Sequence, residues 1–208
     1  MNPDEIAYDD RGLVACVIQD AASGEILTLA WMNAEAVART LSSGELHLYS
    51  RSRQQQWHKG ETSGNTLAVR ALRLDCDGDA LLALVDARRT EEGLARPACH
   101  TGKRSCFHRG DVDVAAAHEA LPALERTLAQ RAAERPEGSY TAALLADAPR
   151  IAEKVMEEAE EVARAAREES DDRVSEEAAD LLYHLAVLLR SREIPLADVE
   201  QVLNGRRR

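Results

Sequence analysis

The chain has 208 residues, 45% of them apolar, and a formal net charge of −11. That length holds one large domain or two modest ones, and the apolar content excludes a chain disordered throughout. No apolar run approaches the ~20 residues a membrane helix needs. The acidic balance argues against nucleic acid as a partner, because phosphate backbones call for basic surface. The start, MNPDEIAYDDRG, lacks the basic flank and apolar stretch of a signal peptide, so the cytoplasm is the expected compartment. The charge is unevenly placed: residues 1–110 hold 13 Lys and Arg against 15 Asp and Glu, whereas residues 111–208 hold 13 against 22. Cys16, Cys76, Cys99 and Cys106, both tryptophans and the single Phe lie in the first part. Two compositions in one chain imply two domains.

The runs LVACVIQD and EILTLAWM, broken at Ser23-Gly24, predict a hairpin. Asn33 to Leu41 predicts a short helix with Asn33 as N-cap and Gly44 as stop. ELHLYSRS alternates and reads as a half-buried strand in which His47 is an ordinary residue. Polar residues 54–66 read as loop. LAVRALRLDCDGDALLALVDA predicts two strands around Gly78, and residues 90–110 look irregular, held by something other than a core. From about Asp113 the chain turns Ala/Leu/Arg-rich. One helix is expected before Arg135-Pro136-Glu137-Gly138, a second over about 149–168, a third over about 175–192 after polar SDDRVSEE, and a short last one over 196–204.

Two groups in the first part carry chemistry. If Asp75, Cys76, Asp77 and Asp79 lie on an extended strand, alternation turns the three carboxylates one way and the thiol the other. Three clustered carboxylates suit a hard cation such as Mg²⁺. An EF-hand loop is excluded, because its sixth position is Ala80 rather than Gly and its twelfth is Asp86 rather than Glu. Cys76, Cys99 and Cys106 are three candidate zinc ligands, against the plainer reading of buried thiols; Cys16 sits in an apolar strand and reads as core. The strings WMNAEA, HLYSRSRQQQWHKGETSGN, DCDGDAL and ACHTGKRSCFHR, in order across about 11–109, resemble phosphoribosyl-AMP cyclohydrolase of histidine biosynthesis. The resemblance implies a dimeric α+β metalloenzyme. Cys76 of one subunit would join Cys99 and Cys106 of the other on zinc, Asp75, Asp77 and Asp79 would hold Mg²⁺, and zinc-activated water would open the adenine ring. His100, beside a ligand and titrating near neutrality, is the candidate proton carrier. Arg51, Ser52, Arg53, Lys59, Thr62, Ser63 and Gly64 form a stretch suited to phosphate, and Trp57 is placed to stack on the purine.

The second part carries Glu157, Glu158 and Glu161, then Glu177 and Asp180. At about 100° per residue, Ile151, Val155, Ala159, Val162 and Ala166 form an apolar stripe with Glu158 at its edge and Glu160 on the far face. Val174, Ala178, Leu181, Leu185 and Leu188 form a second stripe, flanked by Glu177, Asp180 and His184. Packing the stripes brings acidic flanks together, and carboxylates so held need cations. The pattern EExxE…ExxD resembles the all-α nucleoside-triphosphate pyrophosphatases. More narrowly, PEGSYTAALL, KVMEEAEEV and EEAADLLYHLAVLL, within about 121–203, resemble phosphoribosyl-ATP pyrophosphohydrolase. This implies an all-α bundle with Mg²⁺ on Glu157, Glu158, Glu161, Glu177 and Asp180, and Arg135, Ser139, Tyr140 and Lys154 near substrate.

The two resemblances imply consecutive reactions in one cytoplasmic homodimer, with a cyclohydrolase domain over 1–113 and a pyrophosphohydrolase domain over 114–208, using Zn²⁺ and Mg²⁺. The competing expectation is a housekeeping pyrophosphatase fused to a zinc-stabilised nucleotide-binding module.

Overall fold

Val14, Cys16, Ile18 and Asp20 alternate with less buried neighbours along β1 (Val14–Asp20), which makes this strand the spine of a sheet. β2 (Ile26–Met32) returns antiparallel to it, with Cys16 opposite Ala30. α1 (Ala34–Ser43) follows. Asn33 Oδ1 accepts from the Ala36 amide at its start, and Gly44 closes its end in the left-handed region at φ 72°. β3 (His47–Ser50), β4 (Gln55–His58), β5 (Leu67–Leu74) and β6 (Ala80–Ala87) complete a six-stranded sheet of order β4-β3-β2-β1-β6-β5. β1 and β6 run parallel, with Cys16 opposite Leu81, and the other pairs run antiparallel. The core is built from Val14, Ile18, Leu27, Leu48, Leu81 and Val85 and from Ala36 and Val37 of α1. Fully burying each of these Val, Leu and Ile side chains contributes about 1.5–3 kcal/mol, before chain entropy is set against it.

This computed structural model describes residues 1–87, 96–112, 114 and 116–206. Residue 113, at the expected domain boundary, and 90–95 of the expected irregular segment lie outside the described residues. Residues 96–110 form turns without strand or helix. The chain divides into two compact units, Met1–Glu119 and Ala120–Arg208.

In the second unit a 3₁₀ turn at Ala117–Glu119 leads into α2 (Ala120–Glu134), followed by α3 (Tyr140–Leu145), α4 (Ala148–Glu168), α5 (Asp171–Ser191) and α6 (Leu196–Gly205). Only Glu169 and Ser170 separate α4 from α5, so the two long helices lie antiparallel as neighbours. Leu128, Leu144, Ile151 and Val187 form this unit's core. A mixed sheet with one helix and a helical unit are thus joined in one chain, as expected.

Five local expectations are corrected. Residues 55–58, read as loop, form β4. This is an edge strand with one neighbour: Gln55 is exposed, while partly buried Gln56 donates to Asn33 Oδ1 at 3.2 Å and His58 pairs with Glu45 at 2.7 Å, so its polar residues find partners or water. Asp75–Asp79 is the turn between β5 and β6, not a strand, with Gly78 at φ 83°. Helix α3 was not expected; Ser139 caps it by accepting from the Ala142 amide. α5 starts at Asp171, because Ser170 accepts from the Arg173 amide and draws SDDRVSEE into the helix. Both apolar stripes are rotated: Ala159, Ala166 and Leu185 are exposed, and Glu158, Glu177 and His184 take the buried positions.

Gly60 sits at φ 90°, where an added Cβ would overlap the Asn65 carbonyl. Gly60→Ala should therefore destabilise the first unit by roughly 2 kcal/mol or more. Trp31 and Trp57 both lie there, so fluorescence-monitored denaturation of the full chain reads this directly. Burial pushes the Cys16 thiol up to about 12. Alkylation of the metal-free protein near the ordinary thiol pKa of about 8.5 should label exposed Cys76 and spare Cys16 until the chain unfolds, by mass spectrometry of the peptides.

Candidate active sites

In the first unit, segment 96–106 is laid against the β1–β2 hairpin by specific hydrogen bonds. The Cys106 amide donates to Leu27 O at 2.8 Å and Ser105 Oγ to Ile26 O at 2.7 Å. The Arg104 guanidinium, mostly buried, meets Asp20 at 2.9 Å and Glu25 at 3.1 Å. A tight turn, Gly102 N to Cys99 O at 3.1 Å, folds the segment back on itself. Cys99 and Cys106 thereby line one cavity of about 580 Å³, together with His100, Trp57 and Lys59.

Two thiols in one cavity are soft donors of the type zinc takes. Thr101 Oγ1 lies 3.1 Å from Cys99 Sγ and favours its thiolate, so that thiol sits below its ordinary value; burial pushes Cys106 up. His100 Nδ1 lies 3.9 Å from Cys99 Sγ. Cys76 lies apart from this pair within one chain, exposed in the β5–β6 turn. Its neighbours Asp75, Asp77 and Asp79 present carboxylate oxygens within 4.8 Å of one another. The charges of Asp77 and Asp75 push Asp79 up, whereas the Ala80 amide, at 3.1 Å from Asp75 Oδ1, pulls Asp75 down. The departure from strand to turn leaves the cluster intact.

The basic and hydroxyl stretch is divided by the fold. Lys59, Thr62 and Ser63 line the thiol cavity, but buried Lys59 turns its ammonium onto Ala98 O at 2.7 Å, one residue before Cys99. It therefore braces the cysteine segment. Arg51 and Ser52 line a separate cavity of about 530 Å³, while Arg53 and Trp57 line both. Gly64 lies in the turn at φ 72° and lines neither.

In the second unit, Glu158 and Glu177 are only 5% and 4% exposed, and with Asp180 they bring carboxylate oxygens within 4.8 Å. Glu161 is close enough to Glu177 to raise its pKa; Glu157 and Glu160 are exposed. Lys154 Nζ pairs with Glu158 at 2.7 Å and Glu157 at 3.0 Å, which raises Lys154 to about 12. Arg173 pairs with Glu176 and Glu177. These contacts place a cation on each buried acid, from four residues earlier in its own helix. Burial outweighs Arg173 and holds Glu177 above the usual carboxylate range.

Tyr140 OH lies 3.1 Å from His184 Nε2, and His184 Nδ1 lies 2.9 Å from Asp180 O and 3.6 Å from Glu158. Ser139 is occupied as a helix cap, and Arg135 sits at φ 44° in the α2–α3 turn. Sequence reasoning placed His184 on the flank without giving it a part, and passed over Arg173. The signal for Arg173 was its i+4 spacing to Glu177.

Comparison with known proteins matches the same two regions. Residues 28–108 match the family model described as phosphoribosyl-AMP cyclohydrolase, and 121–207 the one described as phosphoribosyl-ATP pyrophosphohydrolase. The histidine biosynthesis bifunctional protein HisIE of Bacillus subtilis is 50% identical over 206 residues, covering 98% of this chain and 95% of that protein. Its counterpart in Halalkalibacterium halodurans is 46% identical, covering 100% and 98%. That in Gloeobacter violaceus is 45% identical, covering 97% and 90%. Identity of this extent, running through both units, shows that the chain belongs to the bifunctional histidine-biosynthesis family that joins a phosphoribosyl-AMP cyclohydrolase domain to a phosphoribosyl-ATP pyrophosphohydrolase domain.

Proposed function

We propose that the second unit hydrolyses phosphoribosyl-ATP to phosphoribosyl-AMP and pyrophosphate, and that the first then opens the adenine ring of phosphoribosyl-AMP by adding water. Domains over 1–113 and 114–208 carry the two steps. The observation that carries the reading is the pairing of two donor sets of opposite chemistry, each in the unit whose family match calls for it: thiols in the first and buried carboxylates in the second.

Cys99 and Cys106 of one protomer, with Cys76 of its partner, are proposed to hold Zn²⁺ in a homodimer. Separation of Cys76 from the other two within one chain supports a shared site. Zinc, when bound, supplies a water acidic enough to ionise near neutrality. Lys59 fixes the backbone before Cys99, Trp57 offers a flat apolar wall to the purine, and His100 stands beside the thiol pair to carry a proton. Asp75, Asp77 and Asp79 are the proposed Mg²⁺ ligands of this domain. In the other domain, Glu158, Glu161, Glu177 and Asp180, with Glu157 at the rim, are proposed to take Mg²⁺, which offsets charge on a polyphosphate. The buried carboxylates fit a divalent ion, because ammonium and guanidinium groups already occupy their lone pairs in its stead. Tyr140 orients His184 behind Glu158. The chain has no described helix long and apolar enough to cross a membrane.

Cys99→Ala should abolish ring opening, followed by ultraviolet absorbance, and leave pyrophosphate release within about threefold of wild type. Glu158→Gln should lower pyrophosphate release by roughly a hundredfold or more and spare ring opening of supplied phosphoribosyl-AMP. Loss of both activities in either folded variant would overturn the division of labour.

Glu177 supplies a second check. A carboxyl raised in the folded state contributes stability in its neutral form. That contribution is present below the ordinary carboxylate pKa and is lost as pH rises through the raised value. Without metal, Glu177→Gln should remove this loss and raise the melting midpoint near neutral pH. With Mg²⁺ the wild type should gain more than the variant. Thermal melts in chelator and in Mg²⁺ across mildly acid to neutral pH test both signs.

A further inference from the structure

The cavity beside the thiol site is unusual for so acidic a protein. It is lined by Arg11, Arg51 and Arg53 together with Ser50 and Ser52. Among the described residues, no carboxylate lies within ion-pair distance of these three guanidinium groups. Arg11 arrives from the turn before β1, far from the rest in sequence. Asp9, two residues before it, is occupied in accepting from the Arg11 and Leu13 amides, each at 2.8 Å, and neither Asp9 nor the adjacent Asp10 lines the cavity. Arg51 is held over the Trp31 ring, its guanidinium carbon 3.2 Å from the ring centre, a contact made through the guanidinium's face and not through its N–H donors. Arg53 is steadied by Ser50 Oγ at 3.3 Å. Three cations and two hydroxyls without an acid among them form an anion site, and the planar donors suit phosphate.

The two cavities share a wall, made by Leu29, Ala30, Arg53 and Trp57. We infer that this domain has two phosphate subsites, one on each side of that wall, and that Arg11 and Arg51 form the second. The inference rests on the cyclohydrolase reading, because phosphoribosyl-AMP carries two phosphates: that of AMP and that of the added phosphoribosyl arm. The purine, lying between its two arms, stays over Trp57 and beside the thiol cavity. Thr62 and Ser63 serve the first phosphate. The site thereby measures the separation of two phosphates and discriminates against AMP, which fills one subsite only. Arg11 is a binding residue that selects the substrate; it is remote from the reacting atoms.

The test uses the full chain and two fragments of the substrate, AMP and ribose 5-phosphate, titrated calorimetrically. Arg11→Ala should weaken one fragment about tenfold and leave the other within twofold. The Thr62→Val, Ser63→Ala double variant should show the opposite selectivity. In turnover, Arg11→Ala should raise KM for phosphoribosyl-AMP about tenfold with kcat within twofold, and Arg11→Lys should recover part of the loss. Equal weakening of both fragments, no change in either, or a wild type that binds neither would overturn the second subsite. Fragment selectivity in the two variants together with a wild type that opens no ring would overturn the cyclohydrolase reading alone.

Discussion

Charge compensation sets the terms on which both units fold. A carboxylate removed from water must find a positive partner or take up a proton. Between α4 and α5 the chain meets this requirement from within: Lys154 and Arg173 sit one helical turn from Glu158 and Glu177 and neutralise them at short range. The compensation is partial, because burial still dominates at Glu177. A pair of helices whose facing seam is acidic is thus held ready for stronger cations than its own side chains supply. The surrounding apolar contacts of Ile151, Leu128 and Val187 bear the cost of keeping it so.

The first unit solves a different problem, that of fixing an irregular segment. Residues 96–106 have few ladder hydrogen bonds to offer. They are held by backbone and hydroxyl bonds to β2, by Lys59 on Ala98 O, and by the Arg104 bridge to Asp20 and Glu25. The ties reach the segment from the β1–β2 hairpin and from the turn that directly follows β4. The two cysteines therefore inherit the precision of the sheet although neither belongs to it.

Much of this was legible beforehand because the signals were local. Asn33 and Gly44 bracket α1 through caps that depend on immediate neighbours, and the β1–β2 and β5–β6 pairs follow from apolar alternation around Gly24 and Gly78. The motif residues Asp75–Asp79, Cys99–Cys106 and Glu157–Glu161 were likewise evident by type and spacing. What escaped depended on tertiary position. Polar β4 is a strand only because it lies at an edge. The stripes of α4 and α5 turned about their axes because two glutamates and a histidine occupy the seam that periodicity reserved for Ala159, Ala166 and Leu185. The helical wheel put Glu158 at the stripe edge and Glu177 and His184 on a flank, one step short of the buried positions they take, since it assigns the centre of the interface to apolar residues by construction. The phosphate stretch over 51–64 looked continuous, and the turn at Gln54, with φ 49°, sends its two halves into different cavities.

The acidic turn at 75–79 is braced from a distance. Ala7 donates its amide to Gly78 O at 2.8 Å, and Gly78 packs so closely beneath Glu5 that any side chain there would strike the Glu5 carbonyl. The first residues of the chain thus form a clasp over the loop that presents three aspartates and Cys76. Residues 5–7 and the acidic turn are consequently one mechanical unit: whatever lifts the clasp from Gly78 also loosens the geometry of the acids beneath it.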